Sequence, residues 1–263
     1  MLEKVRKENP IVHCITNHVV SNFQANGLLA LGASPIMGEA PEEAAELAAL
    51  ADAVSLNIGT LNSQSLSSML LAGKTANALG TPVVLDPVGA GATEFRKNAV
   101  NKILEEVNVS VIRCNAGELA AIAGADWQVK GVDAGEGDAD IGKLARTAAK
   151  RLGLIVAVSG ATDHVTDGER LAEIRYGHEM MASITGTGCL LSSVVAAFLA
   201  VQPENHFEAT AAAMRYYAIA GELASRQAEL PGAFQSAFLD HLAAIGEGEL
   251  DKFMHEKEGA LKR

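Results

Sequence analysis

Apolar and polar positions along this chain fall into two rhythms. Short, nearly continuous apolar runs recur at Ile11 to Ile15, Ser34 to Met37, Asp52 to Ile58, Pro82 to Leu85, Val109 to Arg113 and Ile155 to Ser159. Their brevity, and the polar or Gly-rich residues that end each, mark them as buried strands. Longer stretches between them read as helices: Ser21 to Leu31, Glu42 to Ala51, Ser63 to Leu79, Glu94 to Glu106, Ala116 to Ala123 and Ile141 to Leu152. Gly32, Gly80, Gly124 and Gly153 stand just past four of these, where a helix ends most easily on a residue without a side chain. Pro41 suits a first helical position. His164 to Tyr176 carries Asp167-Gly168 between two short runs, a hairpin signature. Cys189 to Val201, Phe207 to Gln227 and Phe234 to Ile245 are further helices. Residues 1–10 read as a helix end or lead-in, the Gly/Asp-rich Trp127 to Asp140 as a mobile surface loop, and the charged tail after Gly246 as a last short helix.

Strands that alternate with helices and are apolar throughout predict an α/β protein with a mostly parallel sheet covered on both faces. No internal repeat or long linker divides the chain, so residues 1–263 are expected to form one domain. Ligands of such sheets bind at the carboxyl ends of strands. Thr16-Asn17, Gly38, Gly59-Thr60, Asp86-Pro87, Arg113-Cys114-Asn115 and Ser159-Gly160 all follow strands, and are expected to line one edge together with Gly186-Thr187-Gly188.

Composition narrows the partners. Among 263 residues 49% are apolar and 20% charged, which supports a sizeable core. The net charge of −11 argues against nucleic acid, which calls for a basic face. The three cysteines show no CxxC pair and fit a reducing compartment. No apolar run reaches the length of a membrane span, and the charged N-terminus lacks the apolar core of a signal peptide, so a cytoplasmic protein is expected.

Most ready-made motifs fail. Glu94 and Leu191 stand where a dinucleotide fingerprint needs its third glycine. Gly73-Lys74-Thr75 mimics the end of a P-loop but lies inside a helix. Cys14 and His18 find no second pair for a metal. What survives is Gly186-Thr187-Gly188-Cys189, a tight turn feeding an apolar helix. The first N–H groups of a helix lack intrahelical partners and carry the positive end of its dipole, so they cradle anions. A thiol at that position is expected to ionise more easily than a free one. Asp86, at a strand end before a Gly-rich loop, reads equally as a Mg²⁺ ligand, direct or through water, and as a capping aspartate. Arg113 reads as a bidentate phosphate contact. Glu118 reads as completing a hydrated Mg²⁺ site or as a first-turn glutamate.

These pieces occur in a familiar order. His13-Cys14-Ile15-Thr16-Asn17-His18-Val19-Val20, Ala25-Asn26-Gly27-Leu28-Leu29-Ala30, Gly32-Ala33-Ser34-Pro35-Ile36-Met37, Leu85-Asp86-Pro87-Val88-Gly89-Ala90-Gly91-Ala92-Thr93, Asn115-Ala116-Gly117-Glu118 and Gly186-Thr187-Gly188-Cys189 resemble hydroxyethylthiazole kinases. The resemblance implies a ribokinase-like fold and phosphorylation, by ATP with Mg²⁺, of the primary alcohol of 4-methyl-5-(2-hydroxyethyl)thiazole in thiamine salvage. It also implies a homotrimer with active sites between subunits. On that pattern Met37 and Gly186 contact the substrate, with Asn17 and Val19 near the thiazole. Arg113 and Ser159 contact ATP, and Asp86 and Glu118 attend the metal. Cys189 stands beside the reacting hydroxyl, where many relatives in the wider superfamily carry an aspartate. A dehydratase of the same fold would be expected to carry aspartate there and to lack the N-terminal pattern. A non-catalytic nucleotide sensor fits the intact Asp86, Glu118 and cradle less well.

Overall fold

A computed structural model of the chain describes residues 1–124 and 137–261. The strands are β1 (Ile11–Ile15), β2 (Ser34–Ile36), β3 (Ala53–Asn57), β4 (Val83–Asp86), β5 (Val111–Asn115), β6 (Ile155–Ser159), β7 (Asp163–Thr166) and β8 (Leu171–Ile174). They form one sheet in the order β2-β1-β3-β4-β5-β6-β7-β8. Neighbours from β2 to β6 pair in parallel, and β7 and β8 add an antiparallel hairpin at one edge. The helices are α1 (Leu2–Glu8), α2 (Ser21–Leu31), α3 (Ala44–Leu50), α4 (Ser63–Leu79), α5 (Glu94–Glu106), α6 (Ala116–Ala123), α7 (Gly137–Leu152), α8 (Thr187–Val201), α9 (His206–Gln227), α10 (Pro231–Ala244) and α11 (Glu247–Leu261). This is the mostly parallel α/β arrangement that the pattern of strands and helices led us to expect, and the ribokinase-like fold that the family resemblance implies. Among the described residues no helix is long and apolar enough to cross a membrane.

Successive residues of a strand point to opposite faces, and the core divides accordingly. Val12, Cys14, Ala53, Val84, Val111 and Ala157 join one cluster with α1, α2 and α8 to α10. Val54, Leu56, Val83, Leu85, Ile112 and Val156 join the other, against α3 to α7. Helix α8 is apolar nearly all round, and Leu190 to Leu199 are buried without interruption. It lies between the sheet and the α1, α2 and α9 layer.

Several boundaries differ from the sequence expectation, each for a local reason. The strand expected at Val109–Arg113 runs from Val111 to Asn115, because Asn115 is both its last residue and the N-cap of α6. Residues 41–43 form a turn, so α3 begins at Ala44 rather than Glu42. Helix α7 already includes Gly137, although the loop expected at Trp127 to Asp140 extends to Asp140; the rest of that loop, residues 127–136, lies outside the described residues. The tail helix is long, and its Phe253 meets Tyr176 edge to face with ring centroids 6.1 Å apart. A 3-10 turn, Glu179–Ser183, was not expected; His178 caps it by accepting the Met180 N–H.

Candidate active site

The strand alternation that builds the core also builds the site. Ala53, Ser55 and Asn57 share one face of β3, and Ala53 packs in the α8 cluster. The same alternation puts Asp86 of β4, Arg113 of β5 and Ser159 of β6 on that face. The register pairs Asn57 with Asp86, and Leu85 with Ile112, which brings Asp86 beside Arg113. Four neighbouring parallel strands thus end in polar side chains beneath α8, on the edge the sequence pointed to.

Arg113 and Asp86 are the centre of this layer. Arg113 Nη2 donates to Asp86 Oδ1 at 2.8 Å, Nε to Ser192 Oγ at 2.8 Å and Nη1 to Ser159 Oγ at 3.2 Å. Asp86 Oδ2 accepts from Asn57 Nδ2 at 2.7 Å and from Ser192 Oγ at 2.9 Å. Asp86 is fully buried and Arg113 nearly so. Burial opposes the charge of Arg113, but Asp86 and Glu118 outweigh it and raise its pKa. The arginine is therefore not an open bidentate fork. Three of its donors are spent inside the protein, and its charge lies directly under the cradle.

The cradle requires glycine at 186 and is tight at Gly188. Gly186 caps α8 at φ +94°, a conformation that disfavours any side chain. A Cβ there would come within 2.7 Å of Val20 Cγ1, and one on Gly188 within 3.1 Å of Arg113 Nη1. Gly186 carries no side-chain cap, so the first N–H groups of α8 remain as anion donors. Thr187 anchors the turn: its Oγ1 donates to Met181 O at 2.9 Å, and its carbonyl accepts Tyr217 Oη at 2.7 Å. A cavity of about 530 Å³ adjoins this turn, lined by Ser159, Gly160, Asp163, Thr187, Gly188 and Tyr217.

Cys189, in the first turn of α8, receives Asn17 Nδ2 at 3.4 Å. Its thiol is pushed above the usual range, first by burial and then by Asp86; Arg113 and the amides of Asn57 and Asn17 pull the other way without prevailing. The expectation of an easily ionised thiol is thus overturned. A helix start alone does not decide ionisation when the sulfur is desolvated near a carboxylate.

Asn17, two residues beyond β1, is buried. Gly59 makes room for it, since a Cβ at Gly59 would come within 2.7 Å of its side chain. Val19 is exposed, and neighbouring Val20 is what meets Gly186. Met37 follows edge strand β2 and packs partly buried against the α8 cluster. The next residue, Gly38, has its carbonyl held by His13 Nε2 at 2.8 Å.

The two metal candidates differ. Both oxygens of Asp86 are hydrogen-bonded and none of its surface is open, so it does not fit a direct Mg²⁺ ligand. Glu118 forms a capping box with Asn115, whose N–H it accepts at 2.9 Å, and also accepts the Gly89 N–H at 2.9 Å. That is the first-turn role, and it pins the Gly-rich loop to α6. Half-buried, with lone pairs left, it fits a hydrated ion, the state Mg²⁺ prefers. No group of three or more His, Cys, Asp or Glu side chains among the described residues could hold a metal alone.

Two contributors escaped the sequence reading. Asn57 looked like the interior of an apolar strand; its signal was a polar amide at the end of the face carrying Ala53 and Ser55. Arg96 Nη1 donates to the carbonyls of Ile58 and Val88, each at 2.6 Å, and so ties together the loops after β3 and β4. Nothing in its helical surroundings signals that role.

Comparison with known proteins agrees with this geometry. Residues 2–248 match the hydroxyethylthiazole kinase family. The chain is 53% identical over 239 residues to a hydroxyethylthiazole kinase of an Exiguobacterium species, covering 91% of this chain and 90% of that one. The solved structure of a hydroxyethylthiazole kinase protein from Pyrococcus horikoshii superposes with a TM-score of 0.87 at 43% identity, covering 95% and 94% of the two chains. A ribokinase-like superfamily protein from Enterococcus faecalis shares the fold at 14% identity, with a TM-score of 0.63 over 92% and 94% of the chains. A glycine cradle, a thiol at its lip and a match along nearly the whole chain converge: this chain belongs to the hydroxyethylthiazole kinase family.

Proposed function

We propose that the protein transfers the γ-phosphoryl group of ATP to the primary alcohol of 4-methyl-5-(2-hydroxyethyl)thiazole, a step of thiamine salvage. The observation that carries this reading is the uncapped start of α8, with its free N–H donors, between an adjoining cavity and a thiol held by Asn17.

Phosphoryl transfer calls mainly for positioning and for stabilising charge on the transferred group. The backbone N–H groups of Thr187, Gly188 and Cys189 supply fixed donors, and Arg113 strengthens them from below. The triphosphate lies in the cavity beside Ser159, with the unspent donors of Arg113 within its reach. The thiazole sits on the other side, near Asn17, Val19, Met37 and Gly186. Glu118 would help to hold a hydrated Mg²⁺, which would supply countercharge to the triphosphate. Cys189, neutral at neutral pH, meets the substrate hydroxyl as a hydrogen-bond partner; the hydroxyl gives up its own proton late, to an oxygen of the transferring phosphoryl group, as a loose transition state allows. One ribokinase-like domain spans residues 1–263, and the working particle is a cytoplasmic homotrimer with active sites between subunits.

ADP release from ATP tests the reading. Release that depends on the thiazole alcohol supports it. Nucleotide binding without turnover would leave a sensor, and release only with a nicotinamide-nucleotide hydrate would make the protein a lyase.

A further inference from the structure

Asn57 belongs to none of the motifs above, yet it joins the two halves of the site. Its Nδ2 donates to Asp86 Oδ2 at 2.7 Å. Its Oδ1 accepts from Asn17 Nδ2 at 3.0 Å and from the Gly59 N–H at 3.0 Å. Asn17 Nδ2 then donates onward to Cys189 Sγ at 3.4 Å, and the amide of Asn57 meets the same thiol. Asn57 and Asn17 close β3 and β1, strands that adjoin where the sheet reverses its order, the crevice in which such sheets bind ligands.

The chemistry of these groups leaves a single arrangement. Asp86, paired with Arg113, is a carboxylate and can only accept. Asn57 must therefore turn its NH₂ toward Asp86, which turns its oxygen toward Gly59 and Asn17. A backbone N–H can only donate, and Asn17 must donate as well. The second N–H of Asn17 consequently reaches the sulfur, and on that side sulfur can only accept. The S–H is left to the half-exposed side of Cys189.

We propose that Asn57 is a positioning residue: through Asn17 and by its own amide it transmits the fixed polarity of Asp86 to Cys189, holding the sulfur as an acceptor inside and its proton toward the substrate hydroxyl. The substrate side of this statement rests on the kinase reading; the orientation of the thiol does not.

Alkylation by iodoacetamide at fixed pH reads the thiol directly, because Cys14 and Cys114 are fully buried and only Cys189 is accessible. The charged groups facing the thiol are Asp86 and Arg113, and both remain in every variant. Losing the amide donor removes support for the thiolate, so Asn17→Ala slows alkylation about fivefold, as one hydrogen bond is worth. Asn57→Ala slows it at least as much, because it removes the amide of Asn57 from the thiol as well as the support of Asn17, and Asn57→Ala combined with Asn17→Ala is no slower than Asn57→Ala alone. A purely packing role predicts the opposite, since a loosened site alkylates faster. Unchanged or faster alkylation in Asn57→Ala, or additive effects in the double variant, overturns the proposal. Should Asn57→Ala not fold, Asn57→Ser, too short to bridge both partners, carries the same expectation. In turnover, the loss of kcat caused by Asn57→Ala disappears in a Cys189→Ala background, and its persistence there also counts against the proposal. If the alkylation pattern holds but no thiazole-dependent ADP appears, the kinase reading fails while the thiol orientation stands.

Discussion

The Asp86–Arg113 pair gives a sharp energetic test. Consider Asp86→Leu. Arg113 then keeps its charge beneath Gly188 without its hydrogen-bonded carboxylate, and its side chain is only 6% exposed. Leaving one member of a buried pair alone costs about 3–5 kcal/mol. Asn57 Nδ2 and the Ser192 hydroxyl also lose an acceptor, which places the expectation at the upper end of that range. For a chain of this size each kcal/mol corresponds to roughly 2–4 °C in melting temperature. The reciprocal change, Arg113→Met, strands a fully buried carboxylate and costs a similar amount. Removing both charges is different in kind, because apolar residues of similar volume often replace a buried pair at no net cost. The double variant Asp86→Leu with Arg113→Met is therefore expected within about 2 kcal/mol of the parent. Equilibrium unfolding in urea, followed by circular dichroism, measures all four proteins. Single variants that each lose less than about 1 kcal/mol, or a double variant whose loss is the sum of the singles, would refute the reasoning.

Three further outcomes follow from the geometry. Gly186→Ala forces a side chain into φ +94° and against Val20; it is expected to cost about 1–3 kcal/mol in unfolding and to lower kcat more than it raises KM for the alcohol. Asp163 is pushed up from 3.8 to about 6, chiefly by burial. An acid raised on folding favours the folded state at low pH and loses that advantage as pH rises through its folded value. Asp163→Asn is therefore expected to exceed the parent by up to about 3 kcal/mol at pH 8 and to match it at pH 4, and equal stabilities at pH 8 would contradict this assignment. Cys189→Ala is expected to slow turnover without abolishing it and Cys189→Asp to be active; steady-state kinetics in which Cys189→Ala keeps full speed removes the thiol from the reaction.

The legible part of the fold was its rhythm. Apolar runs ending in polar residues located six strands, and Asp167-Gly168 located the hairpin, because burial on both faces and tight turns write themselves locally. The cradle was legible for the same reason: Gly186 and Gly188 answer local demands. What stayed hidden depends on approach through space. Asn57 reads as one more residue of a buried strand until Asp86 and Asn17 arrive beside it. Arg113 looks like an open phosphate clamp until Ser192, Ser159 and Asp86 are seen to hold it. Cys189 looks reactive at a helix start until its desolvation is weighed. Position in sequence shows where a side chain leaves the backbone, but charge and ionisation depend on what surrounds it.

Helix α8 has a mechanical consequence. Its body is wedged between the sheet and a second helical layer, with buried residues almost to its far end. Such a rod cannot slide or tilt without breaking the core on both sides, so its amides belong with the most slowly exchanging in the molecule. The end proposed to bind phosphate is thus an anvil, and adjustment during turnover falls to the pieces around it: the turn after β1, the loops that Arg96 ties together and the hairpin at the sheet edge. Deuterium exchange in the presence of ATP should slow in those flanking segments and in the first turn of α8, and leave the rest of that helix as it was.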